Sequence, residues 1–476
     1  MAITIAQQPN RFNLASQYNV WTLSGLTTED GYLFVVRDAD NNPISTVRQP
    51  ANPAGVAHFN VSRILQSLLS SSFYETTLRL ADTPGAAAAY SIAYGTYTGA
   101  EQTIEGAMPQ QYVYNGYNSW RILNWNDAPY NPVPQAVLCD TGETNVAYAE
   151  PFSFLTNWPE ASYEVRSNTW HTLGFLNRIK PFDDGTPWVL NEQPAYVRIR
   201  FYDAVDSLIQ TVIYSITAQN GLGPRADYDS ATIGQYTNDN LVGVVGVGPQ
   251  NLKEANFWPT SVGLNWNQIT QTWGNYSVLW NASTAAATVA RYEVDIMSID
   301  YCYVVDNGLP SSDNASELEN YLGDVIYNYK FNIGDTCTRF EPITVSFLNQ
   351  FGVKDYFTFD RRNTKRVTTE REDYYKTNPA WSGATFAIDQ HTGGRTTFSS
   401  QIESIMTLST NWMNDDVSKW LEELYTSPSV QIYYDGEWEP VTIIGNNYEE
   451  KTYARNSLFQ HILEVKFANN KIVQRG

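Results

Sequence analysis

The sequence predicts a mainly β, multi-domain chain: tandem β-sandwich-like units with a few short helices. Three observations carry that expectation. The chain has 476 residues, enough for about three domains at ~150 residues each. Aromatics reach 14%, with 32 Tyr and 14 Trp, while charged residues make up only 17%, against roughly 25% in an average soluble domain. Finally, β-branched and aromatic runs recur between clusters of Gly, Pro, Asn and Asp, the pattern that strands and tight turns produce.

The first domain is expected over residues 1–105. Gly31–Arg37 (GYLFVVR) reads as a strand, Asp38–Pro43 as a turn and Ile44–Val47 as its return, a hairpin signal. Asn60 is placed to cap a short helix, with Val61, Ile64, Leu65 and Leu68 at helical spacing. Thr76–Leu80 and Ala89–Thr98 supply further strands. Residues 106–144 form an aromatic-rich connector, where Tyr112, Tyr114, Tyr117, Trp120, Trp125 and Tyr130 sit among Asn and Pro. Two readings fit it: packing over a sheet, or a platform on which sugars stack.

A second sandwich-like domain is expected over 145–306. Its hairpin, Tyr196–Tyr202 and Ile209–Tyr214, resembles the first. RDADNNPISTV (37–47) and YDAVDSLIQTV (202–212) share five of eleven positions, which points to an internal duplication without proving it. LVGVVGVGPQN (241–251) and Arg291–Val305 are further strand candidates. The third domain, 307–476, holds a charged arm (360–373) and one helix (415–425), capped by Asp415 or Asp416. Val430–Tyr434 and Val441–Ile444 flank Asp435-Gly436, a strong hairpin turn. His461, Leu463, Val465 and Phe467 alternate on a last strand.

Chemistry is constrained mainly by what the chain does not contain. The four His (His58, His171, His391, His461) and three Cys (Cys139, Cys302, Cys337) are scattered, so no zinc-ligand spacing or nucleophile–base motif forms in sequence. Asp38-x-Asp40-x-Asn42 opens like a calcium loop but carries Pro43 and Gln49 where Gly and Glu belong. The glycines of 243–248 are in the wrong order for a dinucleotide loop, with Pro249 at the expected helix start. No cofactor, metal site or catalytic residue is expected, and the chain reads as a non-enzyme. No apolar run approaches 18 residues, and the N-terminus lacks the pattern of a secretory leader.

Net charge is −20. An acidic chain is ill suited to wrapping DNA, whose binding depends on Lys and Arg displacing counterions, and equally to anionic membrane surfaces. The stretch DRRNTKRVTTERED (360–373) interleaves basic and acidic groups. Mixed charge fits a β-arm or loop that contacts a neighbouring subunit, and Arg361, Arg362, Lys365, Arg366 and Arg371 are the contact candidates. A merely solvated hairpin face is the alternative.

FLNQFGVKDYFTF (347–359), followed by that Lys/Arg/Thr-rich stretch, resembles a motif of uncharacterised structural proteins of tailed phages infecting Bacteroidetes, the crAss-like phages among them. Lys354 stands where those proteins carry Trp. WLEELYTSPSVQIYYDGEWEPVTIIGNNYEEKT (420–452), Gly55–Leu65 and the tail residues Ala468, Asn470, Lys471 and Gln474 are similar to theirs as well. The resemblance implies a virion structural protein of a short tail, in a tail-barrel ring or tail hub. Such a subunit forms a symmetric ring around the DNA channel, touches adjacent tail proteins and meets genomic DNA only in passage. It is assembled in the host cytoplasm, where reduced Cys are the rule. The alternative is a carbohydrate-binding or glycan-cleaving tail module. In a channel-lining subunit, Asp and Glu are expected on the lumen and the basic residues at subunit contacts.

Overall fold

The computed structural model describes residues 3–9, 12–25, 30–70, 80–81, 85–108, 111–116, 134–138, 144–148, 154–166, 169–176, 196–215, 242–253, 289–300, 303, 307, 318–334, 339–375, 380–382, 385–387, 394–444 and 458–469. The protein is mainly β, in several separate sheets with short helices. Two compact units result. The first comprises 1–336 and 348–356, the second 337–347 and 357–476.

The first unit opens with β1 (Thr4–Gln7), β2 (Phe12–Leu14), β3 (Val20–Ser24), β4 (Gly31–Arg37), β5 (Pro43–Pro50), β6 (Val56–Asn60) and helix α1 (Ser62–Gln66), then β7 (Leu80–Ala81), β8 (Ala87–Thr98), β9 (Glu101–Ala107) and β10 (Gln111–Tyr114). A large sheet runs β5-β4-β8-β10-β2, with β9 also paired to β8, and a small sheet runs β1-β3-β6. Their inner faces meet in a core that includes Trp21, Leu23, Phe34, Val36, Phe59, Leu65, Tyr90 and Ile92. The predicted cap is displaced by one residue. Val61 is the first flanking position of α1, while the Asn60 carboxamide oxygen still accepts the Ser62 N–H at 3.1 Å.

After the pair β11 (Pro134–Leu138) and β12 (Thr144–Tyr148) come β13 (Ser162–Val165), β14 (Thr172–Leu176), β15 (Tyr196–Tyr202), β16 (Leu208–Ser215), β17 (Val242–Gly246), helix α2 (Pro249–Lys253), β18 (Arg291–Ile299) and β19 (Leu322–Ile333). Pro249 starts that helix rather than forbidding it, since the first helical position needs no N–H. The large sheet here is β16-β15-β18-β19-β13, and β14 pairs with β17.

This is the first arrangement over again. Reading β2-β3-β4-β5-β6-α1-β8 against β13-β14-β15-β16-β17-α2-β18 gives the same strand order, and β19 runs along β18 as β9 and β10 together run along β8. In both large sheets the last pair is parallel, β10 with β2 and β19 with β13, and all other pairs are antiparallel. The bulges coincide too: Arg37 faces Pro43, and Tyr202 faces Leu208. Asn19 O accepts from Val61 N at 3.0 Å, as His171 O accepts from Val247 N at 2.9 Å, each immediately before α1 or α2. The duplication expected from one hairpin therefore extends through whole sandwiches.

The outer faces have diverged. Leu33, Val35 and Ala93 form a buried apolar group on the first large sheet. By the shared register their counterparts are Arg198, Arg200 and Glu293. There Asp295, fully buried, accepts from Arg198, from Arg200 at 2.9 Å and from Asn328 at 2.6 Å. The two repeats meet through Leu14, Ala87, Ala89, Tyr112 and Tyr114 of the first and Leu155, Val242 and Val244 of the second, joined by Phe351 and Val353.

The sequence reading places a domain boundary at 306/307. The fold places it at 336/337, because β19 completes the second large sheet through long-range pairs with β18 and β13. Residues 348–356 also belong to the first unit. Asn349 Nδ2 donates to Leu155 O at 2.7 Å, Thr156 Oγ1 to Asp355 Oδ2 at 2.9 Å and Thr172 Oγ1 to the Tyr356 hydroxyl at 3.0 Å.

The chain continues with β20 (Ile343–Leu348) and β21 (Lys354–Phe359), whose Leu348 and Lys354–Tyr356 fall in the first unit and whose other residues fall in the second. The second unit further contains β22 (Thr364–Tyr375), β23 (Ala380–Ser382), β24 (Thr385–Ala387), β25 (Arg395–Ser409), helices α3 (Asp415–Trp420) and α4 (Glu422–Thr426), β26 (Val430–Tyr434), β27 (Glu437–Ile443) and β28 (Ile462–Phe467). Its sheet runs β21-β20-β26-β27-β28-β25-β22. The helix cap is Asn414, not an Asp: its side chain accepts Val417 N at 2.8 Å, which puts Asp415 and Asp416 in the first turn near the positive helix end. Trp420 packs on Phe347 at 5.4 Å between ring centres. Asp435 and Gly436 form the predicted tight turn, both at positive φ.

Candidate assembly arm

The charged stretch becomes β22, which among the described residues is an edge strand paired only with β25. Thr364, Val367, Thr368, Thr369, Tyr374 and Tyr375 favour strand over helix, and the chain from Thr364 to Tyr375 carries neither Pro nor Gly to interrupt it. β28 pairs with β25 only from Ile405 to Ser409. Beyond that point Val367–Tyr375 and Arg395–Ser404 continue as a two-stranded ribbon, about 30 Å long at ~3.3 Å per residue. Every residue of β22 is exposed on both faces. Val367 (57%), Tyr375 (79%) and Phe398 (67%) stand open to solvent. A lone ribbon of this kind is marginal in water.

The two faces carry opposite charge. Lys365, Arg371 and Arg395 share one face with Asp373, whereas Glu370, Glu372 and Glu403 share the other with Arg366. The hydroxyl of Thr397, then the Arg395 guanidinium at 2.8 Å and Arg371, hold the Asp373 carboxyl below its ordinary pKa. Glu372 accepts from Ser399 Oγ at 2.9 Å, and Glu403 pairs with Lys466.

The five predicted contact residues do not form one patch. Arg361, before the strand, donates twice to Asn411 Oδ1. Lys365 lies 4.4 Å from the Tyr434 ring centre and 4.8 Å from that of Phe467, a cation–π site within the unit. Arg362, Arg366 and Arg371 are exposed and form no ion pair among the described residues. Arg366 and Arg371 project from opposite faces of β22. The sequence reading missed β25, and with it Arg395, Phe398 and Glu403. RTTFSSQIESIMTLS lacks the alternation of a half-buried strand because most of it is covered on neither face.

Other candidates resolve as structure. Tyr112 and Tyr114 are buried, so neither offers a ring to a sugar; Tyr117, Trp120, Trp125 and Tyr130 lie outside the described residues. His171 is packed among the rings of Tyr163, Tyr356 and Phe331, and burial lowers its pKa to about 3. His58 bonds to Thr22, and His461 to Ser418. His391 and the three Cys lie outside the described residues. No group of His, Cys, Asp and Glu among the described residues could hold a metal ion. None of their helices is long and apolar enough to cross a membrane. No family model and no curated protein matches the chain.

Proposed function

We propose that this chain is a bacteriophage virion structural protein, a subunit of a short tail that assembles into a symmetric ring around the DNA channel and binds adjacent tail proteins. The observation that carries the reading is the ribbon of β22 and β25, solvated on both faces and bearing Val367, Tyr374, Tyr375 and Phe398 in the open. Burial of such surface against another subunit lowers its free energy, and aromatic groups dominate contacts of that kind. The resemblance at 347–359 and 420–452 supplies the virion setting. The acidic surplus of the chain faces DNA in passage, and the function involves no catalytic step.

The test has two arms. The expected outcome of electron microscopy of the virion is the chain in a ring, each copy touching two identical neighbours. In solution, light scattering reads the mass of the full chain and of a variant whose residues 367–404 are replaced by Asn-Gly. The full chain assembles and the variant stays monomeric with its circular dichroism otherwise retained. A chain absent from virions, or present as one unattached copy, overturns the reading.

A further inference from the structure

We propose that the arms of neighbouring copies pair edge to edge, β22 of one with residues 395–404 of β25 of the next, antiparallel and staggered by two residues, closing into a β-barrel. This rests on the ring reading above and names the contact that makes the ring.

Among the described residues the ribbon has two open edges: β22 has β25 on one side only, and over 395–404 the other side of β25 has no strand. The single bulge lies in β25, where Phe398 is the extra residue, so the outer edge of β22 is regular along its length. Long regular edges are templates for pairing with another chain. Copies related by a ring axis point their hairpins the same way, which sets β22 of one antiparallel to β25 of the next.

Charge selects the register. Residues 395–404 carry two charges, Arg395 and Glu403. Within one chain Glu403 faces Thr368 and Arg395 faces Tyr375. A two-residue stagger toward the base of the arm brings Arg366 opposite the neighbour's Glu403 and Asp373 opposite its Arg395, each pair on a common face. Val367 then meets Ile402, and no like charges face each other. The opposite stagger sets Glu370 against Glu403, and a stagger of four sets Arg371 against Arg395. Odd staggers turn every side chain to the wrong face. Arg395 already reaches its own Asp373, and its five donors can serve a second carboxylate. Two residues per hairpin is one per strand, or ~3.3 Å of slip for each ~4.8 Å of strand spacing. That corresponds to a tilt of about 35°, within the range closed barrels adopt.

The test uses single cysteines, Thr369→Cys on one preparation and Ser400→Cys on another, with Cys139, Cys302 and Cys337 changed to Ser. The proposed register sets 369 opposite 400 of the neighbour, so the mixture cross-links on mild oxidation and neither preparation does so alone. Cross-linking of the Thr369→Cys chain by itself marks β22 pairing with its own copy across a two-fold, and overturns the proposal. So does an assembled oligomer without cross-links, which leaves the virion reading standing; a chain that neither assembles nor enters virions removes both. A second measurement keeps the native cysteines. Glu403→Arg weakens assembly about tenfold or more, and Arg366→Glu added to it restores assembly to within about twofold. Loss without restoration overturns the Arg366–Glu403 contact.

Discussion

Asp38 and Asp203 are counterparts in two repeats, and each holds a five-residue turn by the same bonds. Asp38 Oδ1 accepts from Asp40 N and Asn42 N at 2.9 and 2.8 Å, and Asp203 Oδ1 from Val205 N and Ser207 N at the same two distances. The fourth residue of each turn, Asn41 or Asp206, takes a positive φ. Asn52 and Asn349 build the same turn, with Gly55 and Gly352 in the left-handed position. A short acceptor side chain at the first position is thus a recurrent device of this chain.

Asp203→Ala removes the acceptor for two backbone N–H groups and lowers stability by about 1 kcal/mol. Asp203→Asn keeps the accepting oxygen and stays near the parent. Denaturant midpoints of the two variants separate these outcomes, and equal loss in both would show that charge, not the turn bonds, matters.

Gly352 sits at φ +79°, and a Cβ there would collide with the Asn115 carbonyl oxygen. Gly352→Ala therefore costs about 2 kcal/mol or more through backbone strain and displacement of residues 348–356. Hydrogen exchange reads the site directly: the amide of Val353, bonded to Asn349 Oδ1, loses protection while amides of β26 and β27 keep theirs.

Two buried bases make stability pH-dependent, and burial lowers both pKa values. The folded chain disfavours a proton on His171 (about 3 against an ordinary 6.5), so stability falls as pH drops from 6.5 toward 3, by at most about 1.4 kcal/mol per pH unit. His171→Phe flattens that interval. Lys354, 3% exposed, is lowered from 10.5 to about 7 by burial. Its cost grows as pH falls from 10.5 to 7 and is complete below. Lys354→Met therefore raises stability at pH 7 by about 1–3 kcal/mol, with the gain shrinking toward pH 10. Thermal midpoints across pH 4–10 check both signs.

In the proposed ring the arm bears on passage of DNA. Glu370, Glu372 and Glu403 lie on one face, and repulsion from such a wall acts within about 8 Å at cellular salt. In phage carrying Glu370→Lys and Glu372→Lys, DNA ejection slows, because each phosphate a ring of lysines neutralises adds salt-dependent attraction. Unchanged ejection kinetics, together with a tail map showing the arms away from the channel, would retire the lumen assignment.

Local signals made much of the fold legible. The Asp38 turn, the alternation of Leu463, Val465 and Phe467, and Asp435-Gly436 each specify their structure within a few residues. The duplication was legible at one hairpin only. Elsewhere the repeats share strand order but not side chains, as Leu33 against Arg198 shows, so pattern matching has nothing to align. The boundary after β19 depends on pairing with β13, a contact between residues far apart in the chain. In the arm, the basic residues were visible as composition. Which of them are engaged within the chain depends on Tyr434, Phe467 and Asn411, none of them neighbours in sequence.

The junction between the repeats alters how the proposed ring is put together. Val242 and Val244 reach Ala87 and Tyr112 as parts of one molecule, at an effective concentration on the millimolar scale. A small apolar patch therefore suffices where separate chains would need a full interface. The counterpart of β17 that would carry the same joint onward is more polar: His58 and Asn60 of β6 stand where Val244 and Gly246 do. In the proposed ring, tethering thus halves the number of collisions needed to close a circle of sandwiches, while the polar residues of β6 keep the joint from propagating into a fibre.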